Sequence, residues 1–301
     1  MTKDISIIIP HYKCERGLQE LLNSILSPLD KTCVEKIEII VIDDNSMDIE
    51  AYGNFVNANE CVQFFRNNAS LNGAGSARNM GLDIARGKYI IFADSDDLFL
   101  SDWYDALNKI ILLDSDITYF SPKSMKSNGE PSRRHLRYKK LVENYIEENS
   151  NAIRYKYHVP WSKVYLKKFL DKYNIRFDEV IASNDVMFSL KAGIHAEKIS
   201  CYENSFYIVV EREGSLTTSK NYTKLVSRIN VLLDYNLQLK RINQKTYCIS
   251  LVPHLLLMLK ISPIKTFKLI LRIIKCGHEI IYLNYIVRAF ICKMKFQLFP
   301  S

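Results

Sequence analysis

The first 220 residues of this chain predict an α/β domain built on a mostly parallel sheet flanked by helices. Short runs rich in isoleucine, valine and phenylalanine alternate with segments whose leucines recur at helical spacing. The runs end at turn-forming clusters, and two of those clusters, Asp43-Asp44 and Asp94-Ser95-Asp96, are acidic. Beyond residue 220 the pattern changes to long amphipathic segments with Lys and Arg between the apolar positions.

Residues 5–9, stopped by Pro10, read as a buried parallel strand, because such strands lack strict alternation. Leu18, Leu21, Leu22, Ile25 and Leu26 follow at helical spacing. Residues 37–42 form a second run, ended by Asp43-Asp44-Asn45-Ser46, a turn and capping cluster. A short third strand covers 62–65, and a helix over 74–85 stops at Gly87. Residues 89–93 are a fourth strand that delivers the chain into Asp94-Ser95-Asp96-Asp97. A helix over 103–113 and a strand over 117–120 come next. Residues 122–160 carry Arg133, Arg134, Arg137, Lys139 and Lys140 and predict a long polar loop with one helix. That stretch reads as a solvated face or as a flap over anionic ligands. Helices over 161–173 and 185–192 and strands over 198–201 and 205–210 complete the domain.

The 301 residues are 48% hydrophobic and 25% charged, enough to bury a large core. Seven scattered cysteines with no Cys-x-x-Cys pair fit neither a disulfide framework nor a zinc site, and imply reduced thiols in a cytoplasmic compartment. The amino-terminal apolar run is too short and wrongly flanked for a signal peptide. Charge is distributed unevenly. Residues 221–301 hold 13 Lys/Arg against Asp234 and Glu279, a balance of +11, which leaves the first 220 residues at −3. The tail is therefore expected to meet something anionic. Its longest uncharged run, 246–259, contains Pro253 and His254 and is too short to span a bilayer. Residues 261–274 set Lys265, Lys268 and Arg272, followed by Lys275, among Ile, Leu and Phe, the pattern of an interfacial helix on anionic lipid. The competing reading is a helical subdomain packed on the first domain. No nucleic-acid-binding motif accompanies the charge, so nucleic acid is not an expected partner.

Both acidic clusters fall at carboxyl ends of predicted strands, where ligands of open α/β sheets bind. Asp94 and Asp96, at i and i+2 on an extended stretch, project to one side and can share a hard divalent cation. The plain alternative is a turn and helix cap. Gly73-Ala74-Gly75-Ser76-Ala77-Arg78 mimics a dinucleotide fingerprint, but Arg78 replaces its third glycine and the run follows the third strand. His158 and His195 read as structural, and Arg212 either reaches phosphate or is solvated.

Four ordered blocks carry a resemblance: Ile7-Ile8-Ile9-Pro10-His11-Tyr12, Ile40-Val41-Ile42-Asp43-Asp44-Asn45-Ser46, Ala77-Arg78-Asn79-Met80-Gly81-Leu82 and Asp94-Ser95-Asp96-Asp97. The likeness continues through Pro160-Trp161-Ser162-Lys163-Val164-Tyr165, Arg176-Phe177-Asp178-Glu179, Asn184-Asp185-Val186-Met187-Phe188 and Gly214-Ser215-Leu216-Thr217. Over residues 4–220 the chain resembles the family-2 inverting glycosyltransferases of the GT-A (Rossmann-like) fold. The resemblance implies a catalytic domain over 1–220, with a nucleotide-sugar-binding half (1–100) and an acceptor half (101–220), followed by the basic amphipathic helical tail over 221–301 that the charge and spacing mark. Pro10 and Tyr12 would line the nucleoside pocket, with the Tyr12 ring on the base. Asp44 would hydrogen-bond the base, Asp43 hold the loop, and Arg78 lie near phosphates or base. Asp94, with Ser95 beside it, would contact the ribose, and Asp96 would ligate Mg2+ or Mn2+ on the diphosphate. Asp185 would be the general base, and Trp161, Lys163 and Asn184 would shape the acceptor side. The family usually has Glu-Asp where this chain has Asn184-Asp185, which puts acceptor contacts in question. The implied donor is a UDP-sugar, and the implied acceptor a glycan, lipid-linked, in surface polysaccharide synthesis. The expected location is cytoplasmic, peripheral on the inner face of the cell membrane. Two other classes remain open on the residues alone: an Asp-x-Asp phosphohydrolase, and an inactive membrane-associated scaffold.

Overall fold

The computed structural model describes residues 3–46, 59–111, 114–212 and 221–280. The block 214–217 of the resemblance lies outside them, as does the tail after residue 280. The chain divides into two compact units, residues 1–180 with 184–215 and residues 181–183 with 216–301.

In the first unit the strands are β1 (Ile5–His11), β2 (Ile37–Asp43), β3 (Val62–Arg66), β4 (Tyr89–Phe92), β5 (Leu98–Phe99), β6 (Ile117–Phe120), β7 (Lys123–Lys126), β8 (Lys163–Leu166), β9 (Ile199–Tyr202) and β10 (Tyr207–Glu211). The helices are α1 (Glu15–Leu26), α2 (Lys31–Lys36), α3 (Ala74–Ile84), α4 (Trp103–Ile111), α5 (Leu136–Glu148), α6 (Ala152–Lys156), α7 (Lys167–Lys172) and α8 (Asn184–His195). Among the described residues seven strands form one sheet in the order β3-β2-β1-β4-β8-β6-β9, and β5-β10-β7 form a second. Of those seven described strands, only β8 runs against its neighbours, β4 and β6.

Every residue of β1 and β2 is buried, as strands covered by helices on both faces must be. The helix α1 buries Leu18, Leu21, Leu22 and Ile25, the i, i+3, i+4, i+7 stripe, each worth about 1.5–3 kcal/mol of burial. Two polar residues interrupt the apolar strands and meet each other. The Ser6 hydroxyl donates to the buried Glu38 carboxylate at 2.6 Å, and the Arg86 and Gly87 amides donate to the same oxygen at 2.5 and 3.2 Å. A Cβ on Gly87 would lie 2.5 Å from the Ser6 amide nitrogen, so the chain enters β4 through a passage only glycine fits.

Two stretches differ from the sequence expectation. Residues 122–160 are not a long loop but hold β7, α5 and α6. Residues 161–173 begin not as a helix but as β8, a fully buried strand that turns into α7 at Lys167. Local pattern did not separate these alternatives, because β8 is stabilised by antiparallel pairing with strands far away in sequence.

The second unit is helical among its described residues: α9 (Tyr222–Arg241), α10 (Val252–Ile261) and α11 (Pro263–Lys275). Asn221 caps α9 by accepting from the amides of Thr223 and Lys224. Leu225, Ile229, Leu232, Leu251, Leu255, Met258 and Ile273 form its core. Among the described residues no helix is long and apolar enough to cross a membrane.

Candidate active site

The parallel strands β2, β1 and β4 end at one edge of the sheet. The chain leaves β1 for β2 and β3 on one side and later returns to β4 on the other. The crevice beyond the ends of β1 and β4 is thus a topological switch point. Into it run Pro10-His11-Tyr12, Asp43-Asp44 and Asp94–Asp97.

The β2 end is tightly hydrogen-bonded. Asp43 is buried, and its carboxylate accepts from the Ser46 amide at 2.8 Å and the Ser46 hydroxyl at 2.6 Å. Its Oδ1 also meets His11 Nδ1 at 2.9 Å. The Cys14 amide donates to His11 Nε2 at 3.2 Å, which puts the imidazole proton on Nδ1, facing Asp43. Asp44 accepts from the Asn67 side chain at 2.7 Å and the Gly73 amide at 3.0 Å. Pro10 is buried in β1, whereas the Tyr12 ring stands 56% exposed at the mouth.

The β4 end is a turn, not the extended stretch the sequence suggested: the Asp97 amide donates to the Asp94 carbonyl at 3.0 Å. Buried Asp97 accepts from the Tyr207 hydroxyl and the Val210 amide, both at 2.8 Å, and the Tyr207 oxygen accepts from the Asp94 amide at 2.9 Å. Burial, reinforced by Asp94 and Asp96, raises the Asp97 carboxyl well above the usual range. Ser95 is buried, and its carbonyl faces the Cys14 thiol. Asp96 is half-buried. Burial and then the Asp94 charge raise its carboxyl, against the cations Arg212 and Arg134. A raised carboxyl beside a second carboxylate suits a bound cation, and hard oxygen donors suit Mg2+ or Mn2+. No group of three or more ligating side chains exists among the described residues, so Asp96 and Asp94 fit an ion shared with phosphate oxygens and water rather than a closed protein cage.

Arg78 joins the two halves of the site. It is buried in α3, and its guanidinium donates to Asp94 at 2.5 Å and to the Asn184 side chain at 3.0 Å, lying 5.2 Å over the Phe177 ring. Gly75 makes the approach possible, since its Cβ would fall 2.3 Å from the Asp178 carbonyl. Asp185 stands next, in the first turn of α8. The first-turn amides of α8 favour its ionised form, but burial outweighs them and raises the carboxyl, opposed first by the Arg78 charge.

Trp161 and Lys163 lie beneath the mouth rather than at it. The Trp161 ring stacks on Tyr207 at 5.8 Å and 9°. The Lys163 amine donates to the Tyr157 carbonyl at 2.7 Å among the rings of Tyr119, Tyr157 and Tyr165, and burial holds it well below the lysine range. His158 is likewise interior, its imidazole lowered to about 3 by burial, and His195 stacks on Tyr173. Sequence reasoning missed Asn67, Phe177 and Tyr207 as parts of the site. Asn67 had a signal, its place just past the end of a third parallel strand. Tyr207 had none, because its partners lie 110 and 113 residues away.

Residues 6–174 match the sequence profile of Glycosyl transferase family 2. The chain is 30% identical over 223 residues to the poly(ribitol-phosphate) beta-N-acetylglucosaminyltransferase TarS of Staphylococcus aureus, covering 71% of this chain and 37% of TarS. It is 29% identical over 218 residues to a poly(ribitol-phosphate) beta-glucosyltransferase of Bacillus spizizenii, covering 70% of this chain and 33% of that protein. The chain therefore spans about a third of the length of these two relatives. In three dimensions it is similar to the S. aureus TarS 1-349 crystal structure in complex with UDP-GlcNAc, with a TM-score of 0.61 and 23% identity, over 85% of this chain and 71% of that one. At that identity the likeness shows the GT-A fold.

Proposed function

The chain belongs to glycosyl transferase family 2, and on that premise we propose that it moves one sugar from a UDP-sugar to a hydroxyl of a glycan acceptor, inverting the anomeric centre. The observation that carries this reading is the Arg78 bridge, which holds the acidic end of β4 and the head of α8 at one mouth. A donor end and a second carboxylate are thus brought together, as a single in-line displacement requires.

The exposed Tyr12 ring takes the base on its face beside Pro10, and Asp44, oriented by Asn67 and Gly73, hydrogen-bonds the base edge. Asp43 holds the 43–46 turn, and Asp94 and Ser95 meet the ribose side. Asp96, with Asp94, would hold Mg2+ or Mn2+, and the ion would supply positive charge against the departing diphosphate. Asp185 accepts the acceptor hydroxyl's proton as its oxygen attacks. A carboxyl raised by burial is a stronger base once ionised, and Arg78 favours the ionised form. Asn184 serves as a neutral acceptor that fixes Arg78, while Trp161 supports Tyr207 and Lys163 supports the α8 side from below. The acceptor proposed is lipid-linked surface polysaccharide on the cytoplasmic side, in keeping with the polyol-phosphate polymers in the relatives' names. The basic tail meets the anionic membrane that carries it.

The test is Asp185→Asn, assayed with UDP-GlcNAc and Mn2+. Donor binding by calorimetry should be unchanged and the transfer rate lower by at least ~10². Failure of the parent chain to bind any nucleoside diphosphate sugar in a thermal-shift screen would overturn the reading. Transfer within a few-fold of the parent would remove Asp185 from the chemistry.

A further inference from the structure

Helix α11 is more than amphipathic: it carries three stripes. Thr266 and Ile273 are buried, and Leu269 and Ile270 pack partly on the core of the second unit. This i, i+3, i+4, i+7 set is the packing face. A second apolar set, Ile264, Phe267, Leu271 and Ile274, follows i, i+3, i+7, i+10 and stands 74%, 58%, 51% and 57% exposed. At 3.6 residues per turn these four fall together on a stripe beside the packing face. Lys265, Lys268, Arg272 and Lys275 fall on a third stripe, on the other flank of the exposed apolar one, and all four are exposed. The preceding helix adds exposed Leu256 and Ile261.

The surrounding charge is of one sign. Residues 235–278 contain eight Lys/Arg and no Asp or Glu. Among the described residues none of Lys265, Lys268, Arg272 and Lys275 makes an ion pair; Lys265 lies only over the Tyr222 ring, at 5.9 Å. An apolar stripe of four large side chains costs free energy in water. Flanked by unpaired cations, it has the chemistry of a surface that sinks to the headgroup boundary of an anionic bilayer.

We infer that the Ile264, Phe267, Leu271 and Ile274 stripe of α11, with Lys265, Lys268, Arg272 and Lys275 beside it, is the face that lies on anionic lipid. The inference deepens the membrane part of the proposed function and rests on it, but not on the chemistry at Asp185. The apolar side chains enter the acyl boundary while the cations stay at phosphate level, Ile273 remains in the core of the second unit and Thr266 stays buried.

The test is co-sedimentation of the full chain with vesicles of phosphatidylglycerol and phosphatidylcholine, beside vesicles of phosphatidylcholine alone. The parent should bind the anionic vesicles, less so as salt rises. Phe267→Glu with Leu271→Glu should lower that binding at least tenfold with melting temperature and UDP binding unchanged. A second variant, Lys265, Lys268, Arg272 and Lys275→Gln, alters only exposed side chains and should lose the preference for anionic lipid. Absence of parental binding, or unchanged binding by either variant, overturns the inference. So does a lower melting temperature or a change of oligomeric state in the glutamate variant, because the stripe would then be covered by residues 281–301 or by a second copy. Donor binding is read separately, so failure of the transferase reading and failure of the lipid face are distinguishable.

Discussion

Replacing Arg78 by lysine separates the guanidinium fork from its charge. The fork reaches Asp94 at 2.5 Å and Asn184 at 3.0 Å, and the arginine side chain is 7% exposed against 33% for Asp94. One ammonium can keep the ion pair but cannot reach both partners. The lost bond to Asn184 comes from a charged donor and is worth about 1.5–3 kcal/mol. Asn184 is half-buried and regains some hydration, so the expected loss is about 2 kcal/mol. Arg78→Met removes the pair as well. Breaking a buried pair costs about 3–5 kcal/mol, and water at partly exposed Asp94 holds this case to about 3 kcal/mol. Urea unfolding at pH 7 followed by tryptophan fluorescence measures both, since Trp103 and Trp161, the chain's two tryptophans, lie in the first unit. A lysine variant within about 0.5 kcal/mol of the parent would show that the fork does not tie the halves, and one as unstable as methionine that the charge contributes nothing.

Asp185 should also set a pH dependence. Its folded carboxyl is raised above 3.8, so the acidic limb of the kcat/KM profile should lie above that value, and a limb at or below it would contradict the burial argument. The folded state holds this proton more tightly than the unfolded one, so stability from the group is greatest below 3.8 and is lost as pH rises through the folded value. Asp185→Asn should therefore gain melting temperature relative to the parent as pH rises; a constant difference would count against this. Asp96→Ala should abolish transfer and metal-dependent UDP binding with little change in melting temperature, because it removes a carboxylate repelled by Asp94. An active, metal-independent variant would break the donor-site assignment. Gly87→Ala drives a Cβ to 2.5 Å from the Ser6 backbone and should cost about 1–3 kcal/mol in urea unfolding, whereas a neutral result would mean the turn yields freely.

What the sequence by itself determined is what local chemistry determines. The isoleucine runs marked β1 and β2, the leucine spacing marked α1, and the acidic turns at the strand ends marked the crevice, because period and turn preference act over a few residues. Four motifs in order were enough to point to the family. Tertiary structure alone decided which distant residues meet. Residues 161–173 pattern as well for a helix as for a strand, and pairing with β4 and β6 made β8 of their first part, burying Trp161 and Lys163, the residues that the resemblance has shaping the acceptor side, below the mouth. The bridge from Arg78 to Asn184 spans 106 residues and leaves no local trace. In α11 two apolar stripes are equally visible in the sequence, and only packing against α9 and α10 chose which one is core. Pairing, burial and ion pairs depend on neighbours contributed by remote segments, so their outcome belongs to the folded chain as a whole.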